Sequence, residues 1–153
     1  MGLDLKALRP ESIRVLKDAG WSDSRRVPTW KWMSALTIEG YEDFAVARNV
    51  LAELGDLTVW AGKSRGPNYP NGEMIFDPLL AAWDDFDRVF AAIEVSQTSI
   101  FPLGLWRNDM TPLITPKGEV FAVGVFGVWR VGSVEEFINA IVYADRPIQV
   151  LSR

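Results

Sequence analysis

Residues 115–137 read TPKGEVFAVGVFGVWRVGSVEEF and contain, in order, a turn, two β-prone runs and the start of a helix. Thr115–Gly118 has proline second and glycine fourth, a pattern that favours a type I turn. The runs beside it, Thr111–Thr115 and Glu119–Val125, predict an antiparallel hairpin, and Val128–Val131 predicts a further strand. This stretch therefore places a sheet in the second half of the chain.

A helix is predicted to follow that sheet directly. Ser133 and Glu136 form a capping box, in which each side chain bonds to the backbone amide of the other residue. The predicted core face of this helix consists of Val134, Phe137, Ile138 and Ile141.

The first 60 residues are predicted to be helical. Apolar residues recur at three- and four-residue spacing within 10–19, 29–39 and 44–54, and each segment is followed by a glycine. Pro10 suits a first helical turn, and Thr29 is expected to cap the second helix.

The middle of the chain is predicted to alternate between short strands, a loop and another helix. Leu57–Trp60 and Met74–Phe76 are predicted strands on either side of a Gly/Pro-rich loop, Gly62–Gly72. A helical segment opens at Pro78, and Ile100–Trp106 is predicted to be one strand. Proline at position 102 favours an edge or a bulge there.

These elements together predict an α+β protein in which N-terminal helices and a C-terminal helix pack on a mostly antiparallel sheet. We expect a single domain over residues 1–153, with its core at about 10–146.

Composition excludes several kinds of chemistry. The 153 residues include no cysteine and no histidine, and 16 basic residues against 20 acidic ones give a net charge of −4. Thiolate nucleophiles, disulfides, Cys/His metal sites and histidine-based triads are thus impossible. The acidic balance argues against direct nucleic-acid binding. The N-terminus lacks a signal-peptide pattern, and the longest apolar stretch is too short for a membrane span, so we expect a cytoplasmic protein.

Other catalytic patterns have little support. Gly62-Lys63-Ser64 is no phosphate-binding loop, because Leu57 stands where the motif needs its first glycine and because prolines follow. Carboxylates that are close together in the sequence, such as those of Asp84, Asp85 and Asp87, are typical of solvated helix faces rather than of an acid/base pair. We therefore expect no enzyme activity, no cofactor and no metal.

The aromatic residues suggest a different role. Trp21, Trp30, Trp32 and Trp83 are predicted to lie in the core. Trp60, Trp106 and Trp129 stand at predicted strand ends, where either packing or contact with a protein partner is consistent with the pattern. With Arg65 and Tyr69 in the nearby loop, they have the composition of an interface hot spot.

Charge is unevenly distributed along the chain. Residues 1–31 carry +3, residues 32–94 carry −7 and residues 95–153 are neutral. Asp84, Asp85 and Asp87 contribute to this acidic middle, and long-range attraction would guide a basic partner to it. A solvated helix face is the alternative explanation.

The order of segments resembles the SUKH superfamily of bacterial immunity proteins, and within it the third subfamily. The resembling stretches span nearly the whole chain: 19–21 (AGW), 25–27 (RRV), 51–59 (LAELGDLTV), 101–104 (FPLG), 115–121 (TPKGEVF) and 132–137 (GSVEEF).

The resemblance implies a non-catalytic antidote that binds the toxin of a polymorphic secretion system, whose toxins include nucleases and other modifying enzymes. On that basis we expect occlusion of the toxin's active site by Trp60, Arg65, Tyr69, Asp84, Asp85, Asp87 and Trp106. The alternative is a regulatory protein-binding module of the same fold without a toxin partner. The residues alone leave the oligomeric state open.

Overall fold

The computed structural model describes residues 2–60, 72–80, 97–124, 127–143 and 148–152, the last of these by its backbone alone. Its helices are α1 (Pro10–Asp18), α2 (Trp30–Ile38), α3 (Ala45–Leu54) and α4 (Val134–Tyr143), with single 3-10 turns at Leu5–Ala7 and Pro78–Leu80. Its strands are β1 (Thr58–Val59), β2 (Met74–Ile75), β3 (Phe101–Pro102), β4 (Leu105–Trp106), β5 (Thr111–Ile114), β6 (Val120–Gly124), β7 (Gly127–Gly132) and β8 (Ile148–Ser152). This architecture confirms the predicted α+β class.

The described strands form two antiparallel sheets rather than one. The small sheet has the order β1-β2-β4 and the large sheet has the order β3-β5-β6-β7-β8. The prediction of one continuous strand over Ile100–Trp106 was wrong, because β3 belongs to the large sheet and β4 to the small one. Pro102 lies on an edge strand, as its missing N–H requires.

The chain changes sheets at Gly104. Its φ of +150° lies outside the range that L side chains readily adopt, and a Cβ there would stand 1.9 Å from the carbonyl oxygen of Ile75. Only glycine allows the backbone to approach β2 this closely. The switch therefore depends on the absence of one side chain.

The hairpin and the capping box form as predicted. The Gly118 amide donates to the Thr115 carbonyl over 2.9 Å, which closes the turn between β5 and β6. The Glu136 amide donates to Ser133 Oγ over 3.1 Å, and the Ser133 amide donates to the Glu136 carboxylate over 3.2 Å. The reciprocal pair begins α4, whose four predicted core residues are all buried.

The three N-terminal helices also form near their predicted positions, with differences at their ends. Thr29 precedes α2, but its side chain makes no capping hydrogen bond. Gly55 follows α3 with a φ of −55°, so a left-handed turn does not explain it. A Cβ at Gly55 would instead stand 2.3 Å from the Trp32 ring. The glycine therefore makes room for a buried indole.

One main core lies between the helices and the sheets. Trp106 meets Phe137 of α4 edge to face, with ring centroids 5.1 Å apart, and Phe76 meets the same ring at 6.2 Å. Alternation along β6 sends Val120 into this core, whereas Phe121 joins a second, smaller cluster on the other face of the large sheet.

Two predicted segments lie mostly outside the described residues. They are the helical segment expected after Pro78 and the loop expected at Gly62–Gly72. The last strand, β8, was not predicted; it pairs with β7 and extends the large sheet beyond α4.

We expect Gly104→Ala to destabilise the protein by about 3 kcal/mol or more, because the new methyl group would collide with the β2 backbone. Gly118→Ala is the matched control. Its φ of +85° is also positive, but no atom lies within 4 Å of the added Cβ. That change should cost only about 1–2 kcal/mol of left-handed strain. Urea unfolding followed by tryptophan fluorescence measures both, and equal losses would contradict the steric explanation.

Candidate functional site

Strand register brings two side chains of interface type, a tryptophan and an arginine, to one end of the small sheet. Val59, Met74 and Trp106 face one another across β1, β2 and β4. Continuation of this register by one residue places Trp60, Glu73 and Arg107 in the next row, where the Arg107 amide donates to the Glu73 carbonyl over 3.0 Å. We call this row, Trp60, Glu73 and Arg107, the Trp60 edge.

Trp60 is exposed because of its position in the pleat. Successive strand residues point to opposite faces, so Val59 enters the core and Trp60 leaves it. Val59 is fully buried, whereas Trp60 is 55% exposed. A tryptophan so exposed is a large apolar surface available to a partner, and tryptophan and arginine are enriched at interface hot spots.

The turn after β4 is strained. Arg107 and Asn108 have φ values of +56° and +62°, and the amides and carbonyls of Trp106 and Met110 bond reciprocally across the turn at 2.8 and 2.9 Å. Asparagine adopts this conformation readily, but arginine does so at a cost. The Arg107 guanidinium lies 4.6 Å from the centroid of the Trp106 ring. Backbone strain of this kind is concentrated at functional sites.

Trp106 was predicted to contact a partner, and that prediction was wrong. Its side chain is fully buried against Phe137, in the row that faces the core. A strand-end tryptophan is exposed or buried according to which face of the sheet it joins, and the sequence pattern at Trp60 and Trp106 does not reveal this.

Five other predicted contact residues, Arg65, Tyr69, Asp84, Asp85 and Asp87, lie outside the described residues. Their assignment to a partner surface stays a prediction.

Trp30 was expected in the core, but it is 73% exposed. Helical spacing explains the error: α2 turns Trp32, Met33 and Leu36 inward, and Trp30 falls on the opposite face. Ile38, eight residues later on that same face, is 86% exposed. Between them the Ser34 hydroxyl donates to the Trp30 carbonyl. The exposed face of α2 thus carries two large apolar side chains among polar ones.

These features are those of a protein-binding domain. One exposed tryptophan, Trp60, lies in the row that ends at the strained turn. No group of three or more His, Cys, Asp or Glu side chains is placed to hold a metal within the part of the chain that the structure describes. No described helix is long and apolar enough to cross a membrane.

Comparison with known proteins identifies the family. The model of the SUKH-3 immunity protein family matches residues 9–144, so the chain belongs to this family. A search of curated proteins found no match. A search of solved structures also found none. Membership implies toxin immunity: the chain acts as a non-catalytic inhibitor and has a cognate toxin as its partner.

The tryptophan environments are open to a direct test. We expect Trp30→Phe together with Trp60→Phe to lower the fraction of tryptophan fluorescence that iodide can quench, because both side chains are exposed. Trp106→Phe should instead raise this fraction slightly, because it removes emission from a fully buried ring that iodide cannot reach. Loss of quenching in the Trp106 variant would contradict its placement in the core.

Proposed function

We propose that the protein protects its cell by binding a toxin enzyme and covering its active site, the toxin being a nuclease or another enzyme that modifies cellular molecules. The observation that carries this proposal is the family match over residues 9–144. The chain is proposed to act in the cytoplasm, where such a toxin would meet its substrates.

The Trp60 edge is proposed as one part of the contact surface. Trp60 supplies an exposed indole, and Arg107 supplies a guanidinium held against the Trp106 ring. A preformed aromatic and cationic pair loses little conformational entropy on binding, which favours slow dissociation. Arg65 and Tyr69, in the segment that follows Trp60 in the sequence, are proposed to extend this surface.

The acidic middle of the chain is proposed as a second part. Residues 32–94 carry −7, and Asp84, Asp85 and Asp87 are the densest acidic group in that block. A nuclease binds phosphates through basic residues, so an acidic surface would complement its active site. Attraction at long range would then speed encounter between the two proteins.

The first test is protection in cells. Co-expression with the toxin encoded beside this chain should restore growth, and the two proteins should co-purify. A chain that neither protects nor co-purifies would contradict the proposal and favour a regulatory module without a toxin.

Trp60→Ala tests the aromatic contact. We expect the dissociation constant for the toxin to rise roughly 30-fold, since truncation of a hot-spot tryptophan costs about 2 kcal/mol. Calorimetry or surface plasmon resonance measures this value. Leu5→Ala, which truncates an exposed apolar side chain in the first 3-10 turn, is the control and should change affinity less than about threefold. Equal effects would remove Trp60 from the contact surface.

Substitution of Asp84, Asp85 and Asp87 by lysine tests whether this acidic group speeds the encounter with the toxin by long-range attraction. We expect association to slow about tenfold or more at low salt and to lose most of its salt dependence. The control reverses the exposed residues Asp18, Asp23 and Glu39, of which only Glu39 lies within residues 32–94. It alters net charge by the same amount but leaves Asp84, Asp85 and Asp87 unchanged. If both triple variants associate at the same rate, net charge rather than this acidic group explains the steering.

A further inference from the structure

Glu53 of α3 is the one charged side chain that is buried among the described residues. It is 4% exposed. Oε2 of its carboxylate accepts a hydrogen bond from Trp21 Nε1 over 2.8 Å and a long one from the Leu3 amide over 3.5 Å. Oε1 accepts none from the described part of the chain. No described Lys or Arg side chain forms an ion pair with Glu53.

Burial of a carboxylate that forms no ion pair with a described lysine or arginine is energetically costly. Removal of a charge from water costs several kcal/mol, and neutral N–H donors offset only part of that. A cation placed at Oε1 would offset much of the remainder. The position therefore favours a positively charged ligand group.

A cavity of about 280 Å³ is lined in part by Glu53 and by Gly2, and a Cβ added at Gly2 would stand 3.6 Å from Glu53 Oε1. This volume is ample for a flexible side chain. Val46, Val50 and Val134 line it with apolar surface. An alkyl chain would lie against these valines and bring its charged end to Glu53.

The charges around the cavity also favour a cation. Glu53 and Glu135 line it against a single basic residue, Lys117. Glu135 is held in place, because its carboxylate accepts the Asp4 amide over 2.8 Å. Lys117 is exposed on the hairpin turn and makes no ion pair with a described residue. The lining thus carries a net charge of −1.

We propose that this cavity receives a lysine or arginine side chain of the cognate toxin, with the alkyl stem against the valines and the charged end on Glu53 Oε1. The inference rests on the proposed function and adds to it a specific pocket and a specific chemistry of the partner. The Glu53 cavity is built by α3, the N-terminal segment, the β5–β6 turn and the start of α4.

The pocket itself is tested with n-pentylammonium chloride, which has the shape of a lysine side chain, and with n-pentanol as the uncharged control. In ¹⁵N-labelled protein, the Trp21 indole N–H should shift in a saturable way with pentylammonium and not with pentanol. Glu53→Gln keeps an oxygen acceptor for Trp21 but removes the charge, and it should weaken pentylammonium binding at least tenfold.

Lys117→Ala serves as a second variant, since its exposed side chain has little influence on folding. It should strengthen pentylammonium binding two- to threefold, because a competing positive charge is lost. A purely structural role for Glu53 predicts no such gain. Absence of saturable binding, or equal binding by the Gln variant, overturns the inference.

Affinity measurements on the toxin complex test whether the cation that enters the cavity belongs to the toxin. Glu53→Gln should raise the dissociation constant of the complex about tenfold, whereas Glu136→Gln, on the exposed side of α4, should leave it unchanged. If Trp60→Ala weakens the complex and Glu53→Gln does not, this inference fails while the proposed function stands. If the chain does not bind the toxin at all, the proposed function fails as well. Pentylammonium binding with unchanged toxin affinity would identify a pocket for free amines and overturn the assignment to the toxin.

Discussion

The close backbone contact at Gly104 holds the two sheets in their relative positions. Because a side chain at this point would overlap the Ile75 carbonyl, the chain can leave β3 of the large sheet and enter β4 beside β2 only with glycine here. This passage brings Trp106 level with Val59 and Met74, and so brings Arg107 to the same end of the small sheet as Trp60. The Trp60 edge therefore depends on the close backbone contact at Gly104.

Buried tryptophans connect the helices to that framework. Trp32 fits over Gly55 at the end of α3 and donates from Nε1 to Asp77 Oδ1 over 3.1 Å, which links α2 to the segment after β2. Trp21, just after α1, donates to Glu53 of α3. Each indole combines a large apolar surface with one directed hydrogen bond, so it fixes both the distance and the orientation of the elements it joins. The Glu53 cavity lies where the second of these links reaches the N-terminal segment.

Local patterns predicted the helices, the β5–β6 hairpin and the start of α4, because capping, turn chemistry and helical periodicity act over three to five residues. They predicted the site less well. Trp60 and Trp106 occupy similar places in the sequence, at the ends of short β-prone runs, yet one is exposed and the other is buried. Trp30 and Trp32 differ in the same way on one helix. In each case the outcome depends on which face meets the core, and this is a property of the packing partner.

The sequence by itself determined the class of fold, the absence of thiol and imidazole chemistry and, through the order of its motifs, the family. The tertiary structure decided which residues are available to a partner. It divided residues 100–106 between two sheets, turned Trp60 outward and Trp106 inward, and enclosed Glu53 beside a cavity. The physical reason is range: capping and periodicity act between neighbours along the chain, whereas strand parity, close backbone contact and burial depend on residues that meet only in the folded protein.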